Sequence, residues 1–189
     1  MKNRAESYSQ NHMTNKKIIT TPLDNAVVQH LHAGDEVLIC GTVFAARDQA
    51  HKRFCDCIAQ GRPLPAAIEG ALIYFVGPTP APPGKIIGAA GPTTSSRMDA
   101  FTPMLLAYGL KGTIGKGYRS QAVRDALVKY GGVHFSALGG AGALLSRHIV
   151  RNEIAAYEDL GPEAVRLLEF KDFPAVVAYD CWGKSVYDR

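Results

Sequence analysis

Apolar runs with the period of a strand alternate along this chain with stretches that have the period of a helix, and short loops separate them. That alternation constrains the fold more than any other feature. Glu36 to Phe44 includes Val37, Leu38, Ile39 and Val43 and reads as a strand. A helix from about Asp48 to Gln60 follows, with Ala50, Phe54, Cys57 and Ile58 on one face, and Gly61-Arg62-Pro63 stops it. Ala71 to Val76 reads as a short buried strand, Ile86 to Ala90 as a strand, and Lys111 to Gly115 and Val133 to Ser136 as two more. Between them, helical sequence after Ser95 is broken or restarted at Thr102-Pro103, an N-cap followed by proline at the first helical position. Ser120 caps a helix whose apolar stripe is Val123, Ala126, Leu127 and Tyr130, and Gly131-Gly132 ends it. Gly140 to Val150 reads as a tightly packed helix, and Val165 to Phe170 and Ala175 to Tyr179 as late strands. Leu23 to Val28 and Leu31 to Asp35 form a turn-rich entry, while Gly77 to Gly84, with four prolines and two glycines, is a surface connection. The pattern predicts an α/β fold, a sheet core with flanking helices.

A chain of 189 residues suits one well-buried core, and its 47% apolar and 20% charged residues are those of a soluble globular domain. The expected division is a disordered lead-in over residues 1–15 and a single domain over 16–189. A net charge of +4 is mild, and the pairs Lys16-Lys17 and Lys52-Arg53 lack interleaved aromatics, so nucleic acid is not expected as a partner. No run approaches the roughly 20 apolar residues of a membrane span, and no apolar core follows Lys2 and Arg4 as in a secretory signal. A cytoplasmic location is the expectation. Cys40, Cys55, Cys57 and Cys181 read as free thiols, because Cys55 and Cys57 are two apart and point to different sides of their helix.

The chemistry concentrates in Gly91-Pro92-Thr93-Thr94-Ser95-Ser96-Arg97-Met98, which places four hydroxyls and a guanidinium where a turn should become a helix. Unpaired N–H groups at a helix start favour a carboxylate or phosphate. Gly41 to His51 (GTVFAARDQAH) and Ile114 to Ser120 (IGKGYRS) each set a cation, Arg47 and Lys116, at or just beyond a strand end. Three cations could therefore converge on one anion, most simply a dicarboxylate. Each residue also has an ordinary structural reading. Arg47 could pair with Asp48 or a helix carboxylate, Asp99 could compensate Arg97, Lys116 could be a surface lysine between flexible glycines, and His51 and His134 could be structural.

These three segments, in this order and at these separations, resemble the β subunit of the heteromeric class I fumarases and tartrate dehydratases, iron–sulfur hydro-lyases whose single-chain members carry the same sequence as a C-terminal domain. The resemblance runs from about Lys17 to Tyr187 and includes Tyr130-Gly131-Gly132, Leu138-Gly139-Gly140-Ala141-Gly142-Ala143, Asp159-Leu160-Gly161 and Phe173-Pro174-Ala175. It implies the family's swivelling β/β/α domain. It also implies that Arg47, Arg97 and Lys116 hold the substrate carboxylates and that Thr93 falls at the position of the base acting at carbon. The 4Fe–4S cluster would sit on a separate α subunit in an α2β2 assembly, so this chain alone would bind no cluster and catalyse nothing. Fumarate is the favoured substrate, because Lys116 to Ser120 look more like the fumarase form. L-tartrate, mesaconate and a non-catalytic anion-binding module are the alternatives. Two departures from the family pattern are Pro162, where methionine is common, and the short Gly77 to Gly84 connection.

Overall fold

The computed structural model describes residues 16–188; the expected lead-in over 1–15 lies outside the described residues. Strands β1 (Lys17–Thr20), β2 (Glu36–Ala45), β3 (Leu72–Tyr74), β4 (Gly112–Gly115) and β5 (Val133–Ser136) run parallel in that spatial order. The long strand β7 (Val165–Tyr179) lies antiparallel to β5 on one side and to β2 on the other, so β2, β3, β4, β5 and β7 close into a ring. Strand β6 (Ile149–Ala156) adds to β7 outside that ring.

Closure depends on β2 changing its parallel partner partway along. Val37 to Cys40 pair with β1, whereas Phe44 and Ala45 pair with β3. Between these halves stands Gly41, at φ 94° and beside an irregularity in the register with β7. A side chain at Gly41 would begin 2.7 Å from the Thr21 hydroxyl. That hydroxyl donates to the Thr42 carbonyl at 2.7 Å, so glycine is what lets the chain leaving β1 cross against β2.

Alternation along β3 sends Leu72 and Tyr74 into one apolar cluster with Ile39, Val43, Phe135, Phe170, Phe173 and Val177. Ile73 and its neighbour Phe75 face a second cluster, built with Phe54 of α2 (Asp48–Ala59), Leu105 and Leu106 of α3 (Thr102–Ala107), and Val123 and Leu127 of α4 (Gln121–Tyr130). The fold is therefore α/β, a closed sheet with α2, α3 and α4 packed against the second cluster. Helix α4 starts as expected, with the Ser120 hydroxyl accepting from the Val123 amide, and it ends at Gly131 in the left-handed region, φ 63°.

Several elements differ from the sequence reading. Strand β1 precedes the turn-rich entry, and the entry contains a short helix α1 (Asn25–Gln29), which Asp24 caps by accepting from the Val27 amide at 2.8 Å. Ile86 to Ala90 is not a strand; it is irregular chain with bends at Ile86 and Gly88, held by the Tyr74 hydroxyl donating to the Ala90 carbonyl at 2.6 Å. The expected helix from Gly140 to Val150 is reduced to α5 (Gly142–Leu145) and one 3₁₀ turn, because the β-branched pair Ile149-Val150 begins β6 against β7. The two late strands are one, with Asp172 at φ 52° inside it and Phe170 and Phe173 stacked 4.1 Å apart around it. Thr102 does not cap α3: its hydroxyl donates back to the Met98 carbonyl at 2.8 Å, and the helix is preceded by Phe101 instead.

Candidate active site

The carboxyl ends of the parallel strands lie side by side, the place where open parallel sheets offer a ligand its crevice. Backbone hydrogen bonds carry the pairing past the strands: Ala46 donates to Tyr74, Phe75 to Ile114, and Ala137 to Gly115. The Gly91 segment is inserted among these ends and is not the product of a strand of its own. Thr93 donates its amide to the Phe75 carbonyl at 2.7 Å, Thr94 bridges to Lys116, and the Ser95 amide donates to the Lys116 carbonyl at 2.9 Å. Thr93 is thereby fixed at the end of β3, and Lys116 at the end of β4. Thr93 is half-buried, and its hydroxyl has no hydrogen-bond partner among the described residues.

The helix start expected after this motif is one 3₁₀ turn, Ser95–Met98, with no side-chain cap. Ser95 turns inward, its hydroxyl 3.4 Å from His134 Nε2. The hydroxyl-rich run therefore serves a buried contact and strand-like bridges and makes no cap.

Arg97 and Arg47 meet at one carboxylate. Arg97 donates from Nε and Nη2 to Asp48 at 2.9 and 2.8 Å, and Arg47 Nε lies 3.9 Å from the same Asp48 Oδ2. Asp48 thus occupies the side-on face of the Arg97 guanidinium. Nη1 is left without a partner among the described residues, and the side chain is 48% exposed. The compensation expected from Asp99 goes elsewhere, since Asp99 accepts from Arg119 at 2.7 Å. Arg47 sits at the N-cap of α2, with Nη2 3.5 Å from Glu163 and its buried Nε without a hydrogen-bond partner. A side chain at Gly77 would start 2.6 Å from Arg47 Nη1, so the first residue of the proline-rich connection makes room for this arginine. Pro162, in the exposed turn Glu158–Glu163, directly precedes the carboxylate that braces Arg47.

Lys116 is half-buried and passes beside Gly139, whose Cβ position is 3.9 Å from Nζ; among the described residues no carboxylate pairs with it. Its neighbourhood, with Gly117 and the exposed Tyr118 and Leu138, forms one rim of the strand ends. His51 is fully buried behind Arg47, donates from Nδ1 to the Arg47 carbonyl at 2.8 Å and packs edge-on to Phe75. Desolvation holds its pKa down at about 4, so it is neutral. His134 is likewise pushed well below its usual range by burial and then by the Arg119 charge. Both histidines have the structural placements that the sequence reading allowed.

Asp48 and Arg119 are the site-shaping residues that sequence reasoning passed over. Asp48 was legible only as a neighbour of Arg47, and Arg119 as part of a loop; a fully buried charge leaves no periodic mark. Among the described residues no group of three or more His, Cys, Asp or Glu could hold a metal ion. The cysteines are free and apart, and burial pushes the Cys55 thiol up to about 11, so this chain's residues do not fit the ligand set of an iron–sulfur cluster. No helix among the described residues is long and apolar enough to cross a membrane.

Known proteins share this sequence over most of its length. The chain is 36% identical to fumarate hydratase 2 of Leishmania major over 158 residues, 82% of this chain and 28% of that protein. It is 37% identical to the anaerobic class I fumarate hydratase of Escherichia coli over 153 residues, again 28% of the relative. The chain therefore spans less than a third of these relatives. A putative L(+)-tartrate dehydratase subunit beta of Methanocaldococcus jannaschii is 32% identical over 168 residues, 86% of each chain. The family profile described as fumarase C-terminus matches residues 2–189, and by that match the chain belongs to the fumarase C-terminus family.

Proposed function

We propose that this chain is the β subunit of a class I hydro-lyase that reversibly hydrates fumarate to (S)-malate, with its strand-end cations completing a site shared with an α subunit. The observation that carries this reading is the shared Asp48: it brings Arg47 and Arg97 together while leaving one face of the Arg97 guanidinium able to donate to a second carboxylate. Two parallel N–H bonds from a guanidinium match a carboxylate in geometry and charge. Lys116 supplies a compact third charge across the strand ends.

In the dehydration direction a proton leaves the carbon next to a carboxylate, and the electron pair spreads into that carboxylate. The developing charge is the main barrier, and fixed cations lower it without reorganising. Thr93 takes that proton in this reading. A threonine hydroxyl is a weak base, and it serves only with neighbouring cations that favour its ionised form. In support, the Thr93 backbone is held by Phe75, its hydroxyl is unpartnered among the described residues, and the next two residues, Thr94 and Ser95, pair with the Lys116 backbone. The 4Fe–4S cluster belongs, in this proposal, to the α subunit in an α2β2 enzyme, and this chain's part is electrostatic and acid–base.

L-tartrate dehydration is the second reading, favoured by the similar length of the Methanocaldococcus relative. Anaerobic co-expression with an α-type chain, followed by assays on fumarate, malate, L-tartrate and mesaconate, separates them. Turnover of one substrate, hydration of an alkene or dehydration of a hydroxy acid, that needs both chains is expected, with kcat/KM falling about 10²–10³-fold in Arg97→Ala. A stable, cluster-loaded complex inactive on all four would sink the assignment and leave the non-catalytic anion-binding module.

A further inference from the structure

Arg119 is the most completely buried charge near the site, its side chain 0% exposed, and nothing in the chemistry above uses it. Its guanidinium reaches in three directions. Nε donates to Asp99 Oδ1 at 2.7 Å, Nη2 to the Thr102 hydroxyl at 2.6 Å, and Nη1 to the Thr113 hydroxyl at 3.1 Å and to His134 Nδ1 at 3.2 Å. Its plane lies over the Phe75 ring, 5.2 Å from the centroid.

Each contact is passed on to the turn that carries Arg97. The Thr113 hydroxyl and Arg119 Nη1 both meet His134 at Nδ1, at 2.7 and 3.2 Å, and the other ring nitrogen, Nε2, faces the Ser95 hydroxyl at 3.4 Å. Thr102 accepts from Arg119 and donates its own proton to the Met98 carbonyl at 2.8 Å. Asp99, which follows the turn directly, takes Arg119 with one oxygen and the Ser120 amide with the other at 2.7 Å. The first residue of the turn, its last residue and the one after it are thus tied to a single guanidinium. Arg97 lies inside this tether, and Thr93 two residues ahead of it.

We propose that Arg119 is the positioning residue of the site, holding Thr93 and Arg97 in register through the paths His134–Ser95, Thr102–Met98 and Asp99. The proposal rests on the hydro-lyase reading for its kinetic consequence, but its structural claim is independent of substrate. Lysine cannot replace it, because three donors on one small ammonium cannot span Asp99, Thr102 and the Thr113–His134 pair.

The test compares Arg119→Lys with Leu127→Ala, a core truncation in α4 that lowers stability without touching the tether, and with Thr102→Val, which cuts one path and keeps the buried ion pair. Two readouts are taken: hydrogen exchange at the Thr93 and Ser95 amides of the full chain, and kcat and KM of its complex with the α subunit. At matched loss of global stability, Arg119→Lys is expected to speed exchange at both amides by about tenfold over Leu127→Ala. It is also expected to lower kcat/KM about 100-fold, since a displacement near 1 Å is enough. Thr102→Val should fall between them. If Arg119→Lys and Leu127→Ala are alike in exchange, the proposal is overturned whatever the kinetics. If the wild-type complex has no hydro-lyase activity while the exchange difference stands, the functional reading fails and the positioning role survives.

Discussion

Asp48 gives Arg97 two distinct faces: one side of its guanidinium is spent on the protein and the other is unpaired among the described residues, the side to which the proposed function assigns a carboxylate. A lysine at this position keeps the charge but has no second face. Arg97→Lys is therefore expected to recover little of the activity lost in Arg97→Ala, staying about 10²-fold below wild type in kcat/KM. Steady-state kinetics of the two-chain complex measures it, and near-normal activity would mean that charge alone matters there. Thr93, Arg97 and Lys116 were legible in the sequence because each stands beside glycine, proline or hydroxyl residues that mark a loop after a strand, and Arg47 because it follows an apolar strand run directly. What holds them was not. Asp48 pairs with an arginine 49 positions away, and Arg119 joins groups on several elements, so no local pattern announces either.

At the scale of elements, the end of β4 and the inserted turn share one narrow space. A Cβ on Gly115 would overlap the Ser95 hydroxyl and come within 2.9 Å of the Phe75 ring. Gly115→Ala should therefore cost about 1–3 kcal/mol by overpacking, read as a shift of the urea midpoint without a change of slope. It should lower activity as well, because Ser95 must give way. Helices α2 and α4 were readable from their stripes and stop signals, and strands β2, β4 and β5 from their apolar runs. Ile86 to Ala90 has strand composition without a strand partner: β3 and β4 pair directly with each other, and beyond their ends it is Thr93 to Ser95 that take up the pairing. Strand β6 was hidden by a glycine- and alanine-rich approach that reads as helix until Ile149 pairs with Phe170.

For the molecule as a whole, two histidines buried in neutral form contribute to its response to acid. Between pH 6.5 and about 4 the unfolded chain takes up a proton on His51 that the folded chain refuses, so stability falls as pH drops through this window. The loss is about 3 kcal/mol at about 1.4 kcal/mol per pKa unit, and His134 shifts in the same direction. Urea titrations at pH 7 and pH 4.5 should show it, with His51→Gln flattening the difference. The α/β class was readable from the order of elements, but closure was not. Pairing of Glu36 with Val176 spans most of the chain, and long-range register leaves no trace in a local window.

That closure also sets an order on biosynthesis. As the polypeptide leaves the ribosome, β2 and β5 are complete long before β7, which begins only at Val165, and both wait with open edges. The strand ends that carry Arg47, Thr93 and Lys116 therefore lack their finished frame until the last segment of the sheet is made, and a prematurely ended product would carry these residues without the strand that closes the ring.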